Sequence, residues 1–250
     1  MKRIIISKKF WVILGGVAII LVGSLIFLFS YTYSVSGKIT DITNQQAVKG
    51  VKVAVAGNSQ ETNEQGNYKI SGIKIYQKKA MVISVPSQYT KQGDIQMDYK
   101  TRKFVKDFTI EPTLEELVSR ILIGYKNGQY DYLWDLMHAD DKVYWESKDN
   151  YKNLLSQRDT IYKKNSYSIK SSTIGQNIRQ LDIWKSPITD KEYRGVSEVP
   201  TNNIMVEQGK EQPQTELTYY QRTDGFYHYF TSVNKDALKK AMDAYNALYK

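Results

Sequence analysis

The first part of the chain carries one long apolar stretch. Residues 10–29 read FWVILGGVAIILVGSLIFLF, with no charge and with Ser24 as the one polar side chain. At about 1.5 Å per residue, a helix of this length extends roughly 30 Å, the thickness of the hydrocarbon core of a bilayer. The pattern therefore predicts a single transmembrane helix over residues 10–30.

Charges on the two sides of this stretch predict its orientation. Lys2, Arg3, Lys8 and Lys9 precede it, and the next charged residue is Lys38. Because positive charges are retained on the cytoplasmic side, residues 1–9 are predicted to be a cytoplasmic tail. The predicted location is the cell membrane, with a single pass and extracytoplasmic C-terminal domains.

A cleaved signal peptide is the alternative interpretation of the same stretch. Ser34 and Ser36 are small residues ahead of a possible cut at Gly37. The apolar core is longer than the roughly 7–15 residues usual in a signal peptide, which favours an anchor. The chain has no cysteine, so exported domains would be stable through packing alone.

Between residues 35 and 112, apolar and polar residues alternate in short runs, as in strands. Val51, Val53 and Val55 form one such run, and glycines punctuate the runs at the spacing of turns. The pattern predicts an all-β sandwich.

The stretch SGKITDITNQQAVKGVKVAVAGNSQETNEQGNYKISGI resembles the carboxypeptidase regulatory-like family. That resemblance implies a prealbumin-like sandwich acting as an accessory module without a reaction of its own. In its TNEQGNY turn we expect a positive φ at Gly66, bonds from Asn63 or Glu64 to local amides, and a buried ring at Tyr68.

The period changes to that of a helix from Thr113 onwards. Thr113 and Glu116 form a capping box, an apolar stripe follows, and Asn127-Gly128 stops the helix. Two further helices, several strands, a hairpin around Asp224-Gly225 and a last helix from about residue 235 follow. This order is typical of α+β domains.

Most of the stretch from Thr113 to Val233 resembles the nuclear-transport-factor-two-like superfamily, and the last helix departs from the usual pattern of that superfamily. The resemblance is carried by GYKNGQYDYLWDLMHADDKVYWESKDNYKNLL and by the YYQRTDGFYHYF hairpin, and it implies a sheet curved into a cone with one open end. The predicted fold class is thus a single N-terminal transmembrane helix, an all-β prealbumin-like sandwich over 35–112, and an α+β cone with a curved antiparallel sheet over 113–250.

Catalytic signatures are missing from the sequence. It contains no GxSxG, Walker A, GxGxxG or HExxH string, so we predict no enzyme, no cofactor and no metal site. His138 stands beside Asp140 and Asp141, which could be drawn as a cation site. Adjacent residues at a helix end rarely aim every ligand inward, so a solvated loop is favoured there.

Three aromatic side chains are the candidate ligand-binding residues: Trp134, Tyr219 and His228. Alternation places His228 on the strand face of Phe226 and Phe230, opposite Tyr227 and Tyr229. If that face lines the cone, His228 could bind a ligand or act as a base. The alternative is a packed aromatic strand with a hydrogen-bonded histidine.

Charge narrows the choice of partners. The net charge is +9, but the lysines are scattered among acids, so we expect no nucleic acid. The expected partners are the lipid bilayer, through residues 10–30, and other envelope proteins or a wall polymer. The oligomeric state stays open.

The predicted function is a membrane-anchored extracytoplasmic binding or scaffold protein in a bacterial cell-envelope or secretion/conjugation-type assembly. The alternative is an exported small-ligand receptor or enzyme that uses the cone cavity. A cavity filled by its own aromatics would favour the scaffold, whereas an open one would favour a ligand.

Overall fold

The computed structural model describes residues 8–74, 80–97 and 101–249, and the side chains of 8–14, 27–29, 245–246 and 248–249 are not among the described parts. Within these residues the chain is a mixed α/β protein with six helices and twelve strands. It divides into two compact units. The first comprises the chain up to Asp41 and Gln45–Ile110, and the second comprises Ile42–Asn44 and Glu111–Lys250.

The first unit begins with one helix and continues with seven strands. They are α1 (Lys8–Ser30), β1 (Thr32–Asp41), β2 (Lys52–Val55), β3 (Asn58–Glu61), β4 (Asn67–Lys74), β5 (Met81–Ser84), β6 (Lys103–Val105) and β7 (Phe108–Ile110).

The prediction of an N-terminal transmembrane helix is wrong for the described residues. α1 is continuous, but its described side chains are those of residues 15–26 and 30. Among the residues that the structure describes, no helix is long and apolar enough to cross a membrane. Residues 1–7 of the predicted cytoplasmic tail lie outside the described part.

Two sheets make up the rest of the first unit. One has the order β4-β1-β6 with β7 also on β1, and the other has the order β3-β2-β5. β1 runs antiparallel to β4 but parallel to β6 and β7. Alternating apolar residues of both sheets form the core, including Val35, Ile39, Val53 and Ile73, each fully buried.

The TNEQGNY turn adopts the conformation expected for it. Gly66 has φ +74°, and Asn63 Oδ1 accepts hydrogen bonds from the amides of Gln65 (3.0 Å) and Asn67 (2.9 Å). Tyr68 is 2% exposed, and its hydroxyl donates to the carbonyl oxygen of Lys106 at 2.7 Å. The predictions for Gly66, Asn63 and Tyr68 are confirmed.

The second unit contains five helices and five strands. They are α2 (Leu114–Asn127), α3 (Tyr130–Leu136), α4 (Ala139–Tyr144), α5 (Lys148–Lys164), β8 (Tyr167–Ile174), β9 (Arg179–Lys185), β10 (Glu192–Glu207), β11 (Lys210–Thr223), β12 (Phe226–Phe230) and α6 (Lys235–Tyr249).

Local sequence signals determine where α2, the first helix of this unit, begins and ends. The Thr113 hydroxyl accepts a hydrogen bond from the Glu116 amide at 3.3 Å, and Gly128 ends α2 in the left-handed region at φ 67°. The N-cap at Thr113 and the stop at Gly128 agree with the prediction, but the Glu116 carboxylate accepts from Arg120 Nε at 2.7 Å, so only one of the two bonds of the predicted capping box is shown. α6 contributes Leu238 and Met242 to the core, at 3% and 6% exposure.

The sheet of the second unit is antiparallel throughout, in the order β12-β11-β10-β8 with β9 on β10. Side chains of α2, α3 and α5 pack with one face of this sheet in a single core cluster that includes Leu117, Leu133, Tyr151 and Tyr220. A smaller cluster of Tyr193, Val196 and Phe230 stands apart from it.

The predicted fold class is therefore wrong as stated. In place of a transmembrane helix, an all-β sandwich and an α+β cone, the described chain is a mixed α/β protein with three sheets. Hydrophobic period identifies elements one at a time, and it does not report which strands pair or in which direction. The parallel pairing of β1 with β6 and β7 is an example.

Candidate binding site

A cavity of about 720 Å³ lies between helices and sheet in the second unit. Its volume falls in the range of roughly 300–1,000 Å³ typical of small-molecule sites. The helix wall includes Ile121, Leu122 and Tyr125 from α2 and Tyr151, Leu155, Arg158 and Tyr162 from α5. The strand wall includes Ser168 and Ser172 from β8, Thr201, Asn203 and Met205 from β10, Glu216, Thr218 and Tyr220 from β11, and Tyr229 from β12.

Three tyrosine hydroxyls meet between these walls. The hydroxyl oxygens of Tyr151 and Tyr229 lie 2.9 Å apart, and that of Tyr125 lies 3.4 Å from each. Tyr151 and Tyr229 are buried, while Tyr125 is half-buried. We call these three residues the tyrosine cluster.

Burial controls the chemistry of this cluster. It raises the pKa of Tyr151 and Tyr229, because a phenolate would lose its hydration there, and Tyr125 adds to the rise in both. Both groups therefore stay protonated at neutral pH. The hydroxyl of Tyr125 makes two long contacts, so it can turn to donate to a ligand atom in the cavity.

Arg158 brings a positive charge to the helix wall. Its Nε and Nη2 atoms donate to Asp159 Oδ1 at 3.2 and 3.0 Å. Its guanidinium carbon lies 5.8 Å from the ring centroid of Tyr125 and 5.5 Å from that of Tyr162, within the range of cation–π contact. These contacts hold the guanidinium in place beside the cavity.

Two buried polar atoms among the lining residues lack partners. Asn203 Oδ1 and Trp145 Nε1 make no hydrogen bond within the described chain, although the two residues are 6% and 4% exposed. Such groups cost stability, on the order of 1–3 kcal/mol each, and are uncommon in folded proteins. Their position around a cavity is more typical of a binding site than of a closed core.

The three sequence-predicted ligand residues are not among those that line this cavity. Tyr219 pairs with Phe230, and His228 pairs with Gln221, whereas the lining residues Tyr220 and Tyr229 pair with each other. Because side chains alternate along a strand, Tyr219 and His228 project from the opposite face of the sheet. Their predicted binding role stays a prediction.

Trp134 and His228 each have close aromatic neighbours. Trp134, on α3, packs against Tyr151 with ring centroids 5.7 Å apart. His228 lies 4.1 Å from Phe226 between ring centroids, and neither of its ring nitrogens makes a hydrogen bond of normal geometry to the described chain. Burial, together with the charge of Lys142, lowers the pKa of His228.

His138 is buried and contacts a polar side chain, so the solvated loop expected around it is not found. It is 7% exposed, and its Nε2 lies 3.0 Å from Gln221 Oε1. Asp141 is fully buried and accepts from the amide (2.7 Å) and hydroxyl (2.9 Å) of Thr231. In the parts of the chain that the structure describes, no group of three His, Asp or Glu side chains could hold a metal ion.

Sequence reasoning missed the cavity residues, although one of them carried a signal. Tyr151, Leu155, Arg158 and Tyr162 recur at the 4-3-4 spacing of one helix face. A guanidinium on an otherwise apolar stripe points to a polar opening in the core. The tyrosine cluster gave no such signal, because tyrosines on helix and strand faces pack in most cores without binding anything.

No protein-family model matches the chain, and a search of curated proteins found no similar sequence.

Proposed function

We propose that the chain is a non-catalytic binding protein and that the cavity of its second unit binds a small organic molecule. The observation that supports this most is the cavity itself, about 720 Å³ in volume and lined by aromatic, hydroxyl and guanidinium groups. Such a mixture of apolar walls and a few polar groups is typical of ligand sites. Of the two functions predicted from sequence, an open cavity favours the small-ligand receptor over the scaffold.

The chemistry of the lining groups favours binding without reaction. The buried hydroxyls of the tyrosine cluster stay protonated at neutral pH, so they act as hydrogen-bond donors and not as bases. The carboxylate of Asp159 is engaged by Arg158 and by the hydroxyl of Tyr130. Glu216, the other lining carboxylate, is exposed.

The remaining sequence-based expectations stay predictions. They are the location at a bacterial cell membrane, partners among envelope proteins or wall polymers, and a role in a secretion or conjugation assembly. The binding proposed for the second unit depends on none of them.

Binding of the neutral fluorescent probe N-phenyl-1-naphthylamine to the full chain tests this function. Ser172→Trp places an indole in the cavity, whereas Thr173→Trp adds the same group on the exposed opposite face of β8. We expect saturable binding to the wild type and to Thr173→Trp, and a loss of at least about tenfold in affinity with Ser172→Trp.

The comparison of these two variants separates the cavity from other apolar surfaces. α1 exposes apolar side chains such as Ile19 and Ile20, which could also bind the probe, but both variants keep α1. Ser168→Trp, at an exposed lining position, replaces Ser172→Trp if that variant does not fold. Equal binding to a folded cavity variant and to Thr173→Trp would mean that the cavity is not a ligand site.

A further inference from the structure

The guanidinium of Arg158 has hydrogen-bonding capacity beyond its ion pair. Its bonds to Asp159 use Nε and Nη2. Nη1 makes no hydrogen bond to any residue that the structure describes. The Arg158 side chain is 34% exposed, and it lines the cavity.

Asp159 cannot accept hydrogen bonds from the remaining N–H groups of the Arg158 guanidinium. Its Oδ1 accepts from Arg158, while its Oδ2 accepts from the hydroxyl of Tyr130, which is itself 5% exposed. With both carboxylate oxygens engaged, the aspartate is fixed on one edge of Arg158. The two Nη1 hydrogens are then left for an acceptor that none of the described residues supplies.

Charge around the cavity favours an anion as that acceptor. Lys126, at the end of α2, and Lys163, at the end of α5, are exposed lining residues, in addition to Arg158. The lining carboxylates are Asp159, already paired, and Glu216. An anionic oxygen accepting from a guanidinium forms a charge-assisted hydrogen bond, which is stronger than a neutral one.

The interior of the cavity is suited to an apolar body. Ile121, Leu155 and Met205 line it, together with the rings of the tyrosine cluster. A ligand with several charges would lose hydration there without gaining partners. A ligand with a single charged head group and an apolar or aromatic body would match both the charged groups and the apolar side chains of the lining.

We infer that the cavity takes an amphipathic organic anion, whose one carboxylate or sulfonate head accepts hydrogen bonds from Nη1 of Arg158 while its apolar body lies against the tyrosine cluster. This inference rests on the proposed function and adds the chemical class of the ligand. Tyr125 and Tyr162 contribute through cation–π contacts with the guanidinium.

Two probes that differ by one sulfonate test this inference on the full chain. 1-Anilinonaphthalene-8-sulfonate carries the anionic head, and N-phenyl-1-naphthylamine is the same ring system without it. We expect Arg158→Gln to weaken sulfonate binding about tenfold and to change binding of the neutral probe by less than about twofold. Arg158→Lys, which keeps the charge but not the planar donor edge, should weaken sulfonate binding by an intermediate amount.

Lys164→Gln is the matched control, because it removes one positive charge from the exposed surface of α5 at a position that does not line the cavity. It should leave both affinities unchanged. The inference is overturned if Arg158→Gln weakens both probes equally or leaves sulfonate binding unchanged. If neither probe loses saturable binding in the folded cavity variant, the proposed function itself fails, which is a separate outcome.

Discussion

The hydroxyl oxygens of Tyr151 on α5 and Tyr229 on β12 lie 2.9 Å apart, so a hydrogen bond joins the helix layer to the sheet beside the cavity. Tyr151 is fully buried and Tyr229 is 3% exposed. A buried hydroxyl that loses its partner keeps its desolvation cost, which makes this pair sensitive to the removal of either oxygen.

Removing the second hydroxyl of the pair should cost less than removing the first. We expect Tyr229→Phe to lower the free energy of unfolding by about 1–2 kcal/mol, because Tyr151 is left with the 3.4 Å contact to Tyr125. The double variant Tyr151→Phe/Tyr229→Phe should be less destabilised than the sum of the single variants. Urea unfolding of the four proteins forms the double-mutant cycle that measures the coupling.

Tyr132→Phe is the control for this cycle. The hydroxyl of Tyr132 is buried and has no hydrogen-bond partner in the described chain, so its removal should be neutral or stabilising. If Tyr229→Phe proves no more harmful than Tyr132→Phe, the hydroxyl pair does not hold the two layers together.

The stability of the second unit should depend on the ionisation of Asp141. Burial raises the pKa of this carboxyl from 3.8 to about 6. Between these values the folded state binds more protons than the unfolded state, so the contribution of Asp141 to stability falls as pH rises. Asp141→Asn should remove this loss, with a gain relative to the wild type on the order of 2–3 kcal/mol between pH 4 and pH 7.

Asp140 should behave in the opposite sense. A hydrogen bond from Tyr193, at 2.7 Å, lowers its pKa, so its contribution is present at neutral pH and is lost as pH falls below its ordinary value. Asp140→Asn should therefore be less stable than the wild type at pH 7. Thermal unfolding of the wild type and both variants from pH 2 to pH 7 measures the two trends, and parallel curves for wild type and Asp141→Asn would contradict the assignment.

Gly37 should tolerate no side chain. A Cβ atom there would collide with the carbonyl oxygen of Lys106 and lie 2.9 Å from the hydroxyl of Tyr68. We expect Gly37→Ala to destabilise the first unit by about 2–4 kcal/mol in chemical unfolding, because backbone atoms must shift. Gly93→Ala, at a site with nothing within 4 Å of the added carbon, should change stability by less than about 1 kcal/mol. Similar losses in the two variants would show that close approach at Gly37 is not the cause.

Local structure was the part of the fold that could be predicted from sequence. The helix ends at Thr113 and Gly128 and the hairpin around Asp224-Gly225 depend on residues close together in the chain. Asp224 and Gly225 both have positive φ, at 53° and 94°, as the turn requires. Such features follow from steric and hydrogen-bonding preferences of a few neighbours.

The binding site depended on long-range packing, which local pattern does not contain. Alternation correctly separated His228 from Tyr229, but it could not tell which of the two strand faces the helices would cover. That choice is made by residues far away in the chain, such as Tyr125 and Tyr151. For Arg158, by contrast, the sequence carried a signal, because its spacing from Tyr151 and Leu155 places a charged side chain on an otherwise apolar helix face.

Hydrogen–deuterium exchange with and without N-phenyl-1-naphthylamine tests the central claim, ligand binding in the cavity of the second unit, most directly. The account predicts slower exchange in peptides that cover residues 121–128, 155–163 and 168–172, and no change in peptides that cover β2 and β5. Protection confined to α1 or to the first unit, with no change around the cavity, would contradict it.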